Sequence, residues 1–168
     1  MRWWIAVVVV VLVPAVASAE WSVTPPRGWK RDVEMEKAQL EAARAKMKNR
    51  EVDMRLWWAT PEKQFGMSAM SIASSNGGPS NPSASGMIDE IAAAFVQQGY
   101  TTKPVTPGKR KGQTTLARLL VKDGVRVQVE VHAIERDGFV RLLAVTCYEP
   151  SSSRQCARAI ASMRLGER

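Results

Sequence analysis

Residues 113–148 read QTTLARLLVKDGVRVQVEVHAIERDGFVRLLAVTCY, and this stretch decides the fold. The same basic-Asp-Gly tripeptide occurs in it twice, as Lys122-Asp123-Gly124 and as Arg136-Asp137-Gly138, each time between runs rich in Val and Leu. A glycine at the end of such a short loop is typical of a β-hairpin, because glycine adopts positive φ without steric penalty. The stretch therefore predicts two consecutive hairpins, which together form a three-stranded antiparallel meander.

The alternation of apolar and polar residues predicts the register of these hairpins. If all three residues of Lys122-Asp123-Gly124 form the loop, one face of the sheet is apolar throughout. A two-residue Asp-Gly loop instead places Lys122 beside Val125 and breaks the alternation that a half-buried strand needs. We therefore predict three-residue loops, with Cys147 on the same face as Val129. The predicted facing pairs are Val121 with Val125, Leu119 with Val127, Leu143 with Val131, and Val145 with Val129.

The N-terminus has the pattern of a cleavable secretory signal. Arg2 supplies a positive charge, Ile5–Val13 is a short apolar run, and Ala17-Ser18-Ala19 provides the small residues that precede a cleavage point. An uncleaved membrane anchor is the alternative, but the run is far shorter than the ~20 apolar residues that a membrane span needs. We predict removal of residues 1–19 and a secreted or periplasmic single domain of residues 20–168, without a stable transmembrane segment.

The composition limits the classes of partner. The chain carries 24 Lys and Arg against 16 Asp and Glu, a net charge of +8, and loss of Arg2 with the signal lowers it to +7. An excess of positive charge favours contact with membrane surfaces, acidic polymers or acidic proteins. The alternative is that these scattered charges only keep the surface solvated. We expect an unknown protein or an anionic component of the cell envelope as the partner.

The two cysteines, Cys147 and Cys156, predict a disulfide. An even number of cysteines in an exported chain indicates pairing, because disulfides persist in oxidising compartments. Cys147 ends the last predicted strand, residues 149–153 provide a turn, and Cys156 begins a helix whose apolar stripe faces the sheet. A metal site needs more ligands than two cysteines and a single histidine, so neither a metal nor another cofactor is expected.

Helix and strand patterns extend over the rest of the chain. Asp32 is placed to cap a helix over Val33–Lys48, and the thin apolar stripe of that helix predicts a peripheral position. Alternation indicates one strand over residues 51–60 and another over residues 65–73. The remaining expected elements are a polar loop over 74–85, a helix over 87–98 that ends at Gly99, and a short strand over 100–105.

Two places are candidate partner-binding sites. Trp57 lies on the polar face of its predicted strand, where an exposed indole stacks on a sugar or enters a partner's pocket, unless a covering helix buries it. Lys109, Arg110 and Lys111 form the densest positive site of the mature chain, suited to a phosphate or an acidic glycan, or simply to a soluble hairpin tip. Nucleic acid is not expected, because no aromatic residue is interleaved with these charges and the protein is exported.

Catalytic signatures are missing from the sequence. No G-x-S-x-G, H-E-x-x-H, P-loop or dinucleotide fingerprint occurs in it. The single histidine, His132, is opposite in phase to the valines of its strand, which predicts a residue on the sheet surface rather than a catalyst. We therefore predict a protein that is not an enzyme. The alternative is an enzyme or enzyme inhibitor of unrecognised type, which requires a pocket of converging polar groups around His132.

The order of elements resembles the PsbP-like α/β/α sandwich superfamily. The resemblance rests on Pro26-Arg27-Gly28-Trp29, the strand hairpin, the polar loop with one helix, the meander, and a final short helix near Ile160-Ala161-Ser162-Met163. The superfamily includes the extrinsic photosystem subunit, a Ran-binding protein of the same fold and many exported bacterial proteins of unknown role. The resemblance implies a binding or assembly subunit rather than an enzyme, and it assigns no functional residue.

The sequence as a whole predicts an α+β protein, with an antiparallel sheet packed between helices as in a PsbP-like sandwich and one disulfide. Its expected function is that of a non-enzymatic binding or accessory protein of the cell envelope or the extracellular space. The residues expected to contact a partner are Trp57, Lys109, Arg110 and Lys111.

Overall fold

The computed structural model describes residues 21–48, 50–74 and 82–166. The predicted signal peptide and the central part of the predicted polar loop lie outside these residues. The described residues form nine strands and three helices. In chain order they are β1 (Trp21–Ser22), β2 (Lys30–Arg31), α1 (Val33–Lys46), β3 (Glu51–Trp58), β4 (Gly66–Ser74), α2 (Ala84–Val96), β5 (Thr101–Lys103), β6 (Thr114–Lys122), β7 (Val125–Arg136), β8 (Phe139–Pro150), α3 (Gln155–Ala161) and β9 (Arg164–Leu165).

The main sheet has seven strands in the order β2-β3-β4-β8-β7-β6-β5, and every neighbouring pair is antiparallel. A second, two-stranded sheet pairs β1 with β9. The N-terminal hairpin β3–β4 therefore joins the predicted meander through β8. The predicted α+β class with an antiparallel sheet is confirmed. None of the three helices in the described ranges is long and apolar enough to cross a membrane.

Both hairpin loops of the meander contain two residues, so the prediction of three-residue loops was wrong. Lys122 pairs with Val125, and the two residues between them, Asp123 and Gly124, have φ of 46° and 76°. Positive φ at both central positions defines a type I′ turn, whose twist matches that of the strands it joins. The second loop repeats this arrangement, with φ of 51° at Asp137 and 79° at Gly138. Each predicted pair is therefore shifted by one residue, so that Val121, for example, faces Arg126 instead of Val125.

The register differs from the prediction because both faces of the sheet are covered. Along β7 and β8, side chains that point to either face of the sheet are buried. An apolar residue can therefore pair with a polar one across the strands without being exposed to solvent. One face, here the α2 face, packs against α2, and the other, the α3 face, packs against α3. Cys147 lies on the α3 face, opposite to the face of Val129 where it was predicted. The α2 face of the meander includes Val127, Val129, Val131, Leu142 and Ala144, and the α3 face includes Leu143, Val145 and Cys147.

The predicted disulfide joins Cys147 at the end of β8 to Cys156 in the first turn of α3. Their Cα atoms are 5.6 Å apart, and both residues are fully buried. The predicted apolar stripe of this helix is buried as well, at Ala159, Ile160 and Met163. The disulfide and this stripe hold α3 against the sheet.

Helix α1 covers the edge of the sheet rather than its face. Asp32 caps it as predicted, accepting a hydrogen bond from the Met35 N–H at 3.1 Å. The Glu36 carboxylate accepts from the Leu56 N–H at 3.3 Å, and Arg44 Nη2 donates to the Val52 carbonyl at 3.1 Å. These contacts engage backbone groups of β3 that its short neighbour β2 leaves without a strand partner. The predicted peripheral position of this helix is confirmed.

Helix α2 begins at Ala84, three residues before the predicted start. Ser83 caps it, and the Ser83 hydroxyl accepts from the Gly86 N–H at 3.0 Å. The chain turns away after the helix at Gly99, whose φ is +89°, as the sequence predicted. This helix lies across β6 and β7, and its own Ile88 side chain is fully buried against the sheet.

Candidate functional site

An apolar cavity of about 500 Å³ lies on the α2 face, between α1 and α2. It exists because α1 contacts the edge strand β3 while α2 lies over β6 and β7, which leaves Ser68 and Met70 of β4 and Thr146 of β8 only partly covered. Its floor consists of two register pairs, Ser68 with Thr146 and Met70 with Ala144. Three of these four side chains are small, so the floor is recessed below the flanking helices. We call this cavity the Met trough.

Flexible apolar side chains form the walls of the Met trough. On the α1 side these are Met47 and Met54, and on the α2 side they are Met87, Ile91 and Phe95. Methionine is unbranched and polarizable, so it adapts its shape to an apolar ligand better than branched side chains do. The walls are therefore suited to a ligand whose apolar part is itself flexible.

Two aromatic residues form one end of the trough. The rings of Trp58 and Tyr148 meet edge to face, with centroids 6.0 Å apart and planes at 77°. Burial, with a smaller contribution from the neighbouring Tyr100, raises the pKa of the Tyr148 hydroxyl to about 12. Tyr148 therefore stays neutral and can serve as a hydrogen-bond donor at this end of a mostly apolar cavity.

Trp58 separates the trough from a second cleft of about 560 Å³. On that side its indole Nε1–H donates to Asp32 Oδ2 at 3.0 Å. The same oxygen is 2.5 Å from Lys63 Nζ, and the hydrogen bond from Lys63, aided by the Met35 N–H, lowers the pKa of Asp32. Lys30, directly opposite Trp58 in the β2–β3 register, is exposed at the same place. The apolar trough and this charged cleft, which we call the mouth of the trough, thus meet at the Trp58 indole.

The structure buries Trp57, which is the alternative that the sequence left open for this residue. Only 6% of Trp57 is exposed, and its ring belongs to the core of the α3 face together with Met67. A partner has no access to a ring in that position. The neighbouring Trp58, which the alternation assigned to the inward face, is the tryptophan that lines the trough.

The basic loop, residues 106–112, packs against the protein instead of projecting as a hairpin tip. Lys109 and Lys111 are exposed, but Arg110 is half-buried, and its Nη2 donates to the Ala161 carbonyl at 2.8 Å. That carbonyl is at the C-terminus of α3, where cations are favoured by the helix dipole. The loop therefore lies over the α3 face, on the opposite side of the sheet from the Met trough.

His132 is fully buried on the α3 face, so its predicted position on the sheet surface was wrong. Its Nε2 lies 2.7 Å from Glu130 Oε1. Glu130 in turn lines a smaller cavity beneath the basic loop, together with Arg110. The structure thus brings one predicted site residue, Arg110, close to the partner of the histidine, which the sequence pattern did not indicate. Within the described ranges no three His, Cys, Asp or Glu side chains are grouped as metal ligands would be.

The chain matches no protein-family model, and it matches no curated protein sequence. The structure shows an α+β fold with helices on both faces of its main sheet. The finer resemblance to the PsbP-like sandwich stays a prediction.

Proposed function

We propose that this protein is an exported, non-enzymatic binding protein that holds a small amphiphile in the Met trough. The apolar chain of the ligand lies along Met70 and Ala144, and its polar head emerges at Trp58. The observation that carries this proposal is an apolar cavity of about 500 Å³ on the central strands of the sheet, lined by methionines and left open between two helices.

The size of the trough supports a small-molecule ligand. Binding sites for small molecules occupy about 300–1,000 Å³ and are lined mainly by apolar side chains with a few polar groups. The Met trough falls within that range, and the polar groups at its floor and end are the hydroxyls of Ser68, Thr146 and Tyr148. A partner helix or a second copy of the chain is the competing occupant, and the experiment below distinguishes them.

The mouth of the trough supports a ligand with a polar head. Trp58 is apolar on its trough side and bonded to Asp32 on the other, as tryptophan is at boundaries between apolar and wet regions. Lys30 and Lys63 lie at that boundary together with Asp32. A purely apolar ligand would make no contact with these charged groups, whereas an amphiphile interacts with both regions.

Export rests on the predicted signal and is supported by the disulfide. The buried Cys147–Cys156 bond is of the kind that persists in the periplasm and outside the cell. The alternative of an enzyme requires a pocket of converging polar groups around His132. We retain binding as the function because the ring of His132 is fully buried and so makes no contact with a substrate.

The test is calorimetric titration of the purified mature protein with dodecanoic acid below its micelle concentration. We expect saturable binding near one ligand per chain. A Ser68→Phe substitution fills the floor of the trough and should weaken the affinity about tenfold or more, which is ~1.4 kcal/mol or more. Ser85→Phe, on the exposed first turn of α2, is the matched control and should bind as the wild type does.

Two outcomes would contradict the proposal. Equal affinity in the wild type and Ser68→Phe would place the ligand elsewhere on the protein. No binding by a folded wild type, combined with a dimer in light scattering that Ser68→Phe dissociates, would identify the trough as a protein interface instead.

A further inference from the structure

A second cavity, of about 270 Å³, lies on the α3 face between the basic loop and α3. Strands β6 and β7 form its floor through Ala117, Gln128 and Glu130. It is on the opposite side of the sheet from the Met trough, so whatever it binds is independent of the amphiphile proposed above. Its volume is close to the lower limit of small-molecule sites, about 300 Å³, which restricts it to a very small ligand.

The floor of this cavity presents acceptors that the protein does not use. Gln128 Oε1 is buried and has no hydrogen-bond partner among the residues that the structure describes. Glu130 uses Oε1 for His132 and is mostly buried, with 12% of its side chain exposed. A buried acceptor without a partner costs free energy, and in native proteins such groups are explained by bound water or a ligand.

Two more buried polar atoms without hydrogen-bond partners among the described residues lie on the same strands, beside Glu130. Thr115 lies opposite His132 in the β6–β7 register, and neither Thr115 Oγ1 nor His132 Nδ1 has a hydrogen-bond partner in the described part of the chain. The Nε2 contact of His132 holds the Glu130 carboxylate in place at the cavity floor. His132 is therefore a positioning residue for this site, and Glu130 is the group that faces the ligand.

The opposite wall supplies a cation. Arg110 lines the cavity and uses one N–H for the Ala161 carbonyl. A guanidinium has five N–H donors and recognises carboxylates through paired hydrogen bonds. The rest of this wall consists of Val105, Thr106, Ala157 and Ile160. Arg118 also lines the cavity, but its Nη2 donates to Asp89 at 2.9 Å and its Nη1 to the Ala117 carbonyl at 3.1 Å.

We propose that this cavity binds a free α-amino acid with a small aliphatic side chain. The ammonium group bonds to Glu130 and Gln128 Oε1, the carboxylate bonds to Arg110, and the side chain packs against Val105 and Ile160. A simple cation would be repelled by the basic loop, and a simple anion would be repelled by Glu130. A zwitterion satisfies both walls, because it carries one charge of each sign, as Glu130 and Arg110 together do.

The test is calorimetric titration of the mature protein with L-valine, L-alanine and glycine, followed by two blocked analogues of valine. N-acetylvaline lacks the ammonium group, and valine methyl ester lacks the carboxylate. We expect at least one of the free amino acids to bind, and both blocked analogues of valine to bind about tenfold or more weakly than valine does. Glu130→Gln should abolish the preference for a free ammonium group, whereas Glu135→Gln, exposed near the end of the same strand, should leave binding unchanged.

A thermal melt shows whether Glu130→Gln folds. If it does not fold, Arg110→Gln provides the second variant, and it should abolish the preference of the protein for valine over its methyl ester. The proposal is overturned if no free amino acid binds to the folded wild type, or if the blocked analogues bind as tightly as valine.

Discussion

The indole ring of Trp58 lies over Gly66, its direct partner across the β3–β4 register. A Cβ at Gly66 would come within 2.5 Å of Trp58 Cε3 and within 2.7 Å of the Trp57 carbonyl oxygen. Both distances are shorter than any real contact of a Cβ atom. The glycine therefore allows the indole to lie across the strand, where it closes the end of the Met trough.

Gly66→Ala should displace this indole. The added methyl group overpacks the contact, so we expect the free energy of unfolding to fall by about 1–3 kcal/mol. Loss of the end wall should also weaken amphiphile binding. Urea unfolding measures the first effect, and titration with dodecanoic acid measures the second.

Gly108→Ala is the control for this substitution. A Cβ at Gly108 has its nearest neighbour, Glu130 Oε1, at 3.7 Å, which is an ordinary contact. This variant should keep the wild-type stability and amphiphile affinity. If Gly66→Ala behaves in the same way as Gly108→Ala, the glycine is not what holds Trp58.

Local features of the fold were predictable because local chemistry determines them. The Asp32 cap, the Gly99 stop and the Cys147–Cys156 pair each depend on residues close together in the chain. The hairpin register failed because the alternation rule assumes one covered face, whereas β7 and β8 are covered on both. Once a helix lies over each face, the type I′ preference of Asp-Gly decides the loop.

The candidate site was not predictable from such patterns. Its floor was visible only as small residues, Ser68 and Ala144, on two strands that are far apart in the sequence. The trough forms because Glu36 and Arg44 attach α1 to the edge of β3 instead of its face, through contacts that no local periodicity encodes. The same placement separates the roles of Trp57, which is buried, and Trp58, which lines the cavity.

Glu149 should make the stability of the protein depend on pH in the acid range. Burial alone would raise the pKa of this carboxyl, but hydrogen bonds from Ser153, Arg126 and the Cys156 N–H together lower it below its ordinary value of 4.5. A lowered folded pKa stabilises the protein above the unfolded pKa, and this contribution is lost as the pH falls through the folded value. Urea unfolding between about pH 3 and 7 should show stability falling below about pH 4.5.

Glu149→Gln tests that assignment. Arg126 Nη2 lies 2.5 Å from Glu149 Oε1, and removing the charge leaves a buried guanidinium without its counter-ion. We expect the free energy of unfolding at neutral pH to fall by about 3–5 kcal/mol. The difference from the wild type should shrink as the pH falls below about 4.5 and then through the lowered folded pKa of Glu149, where the wild-type carboxyl also loses its charge. A difference that stays constant down to acid pH would show that another group causes the pH dependence, and the exposed Glu135→Gln variant should follow the wild type throughout.

The disulfide should stabilise α3 more than the rest of the molecule. This helix has seven residues, too few for a stable isolated helix, and Cys156 in its first turn attaches it to β8. Replacing Cys147 and Cys156 together by Ala should lower the free energy of unfolding by about 2–3 kcal/mol in the chain-entropy model. Hydrogen exchange followed by mass spectrometry should show a larger loss of amide protection in α3 than in α2. An equal loss in both helices would mean that the bond acts only on global stability.

Arg110 of the basic loop should contribute to the stability of the protein, whereas Lys109 and Lys111 should not. Arg110→Ser removes the hydrogen bond to the Ala161 carbonyl, so we expect a loss of about 1 kcal/mol in the free energy of unfolding. Lys109→Ser with Lys111→Ser removes only exposed charges and should change stability by less than about 0.5 kcal/mol. Urea unfolding of both variants measures these differences.

The same lysine pair tests the predicted contact with an anionic envelope component. Because we expect Lys109→Ser with Lys111→Ser to leave the fold intact, a crosslinking pull-down from the native envelope compares two equally folded proteins. Recognition by the loop predicts a specific partner that the wild type captures and the double variant loses, with capture weakened by added salt because the charges are exposed. Equal capture by both proteins would assign these lysines to solubility, and the search for partners would then move to the Met trough.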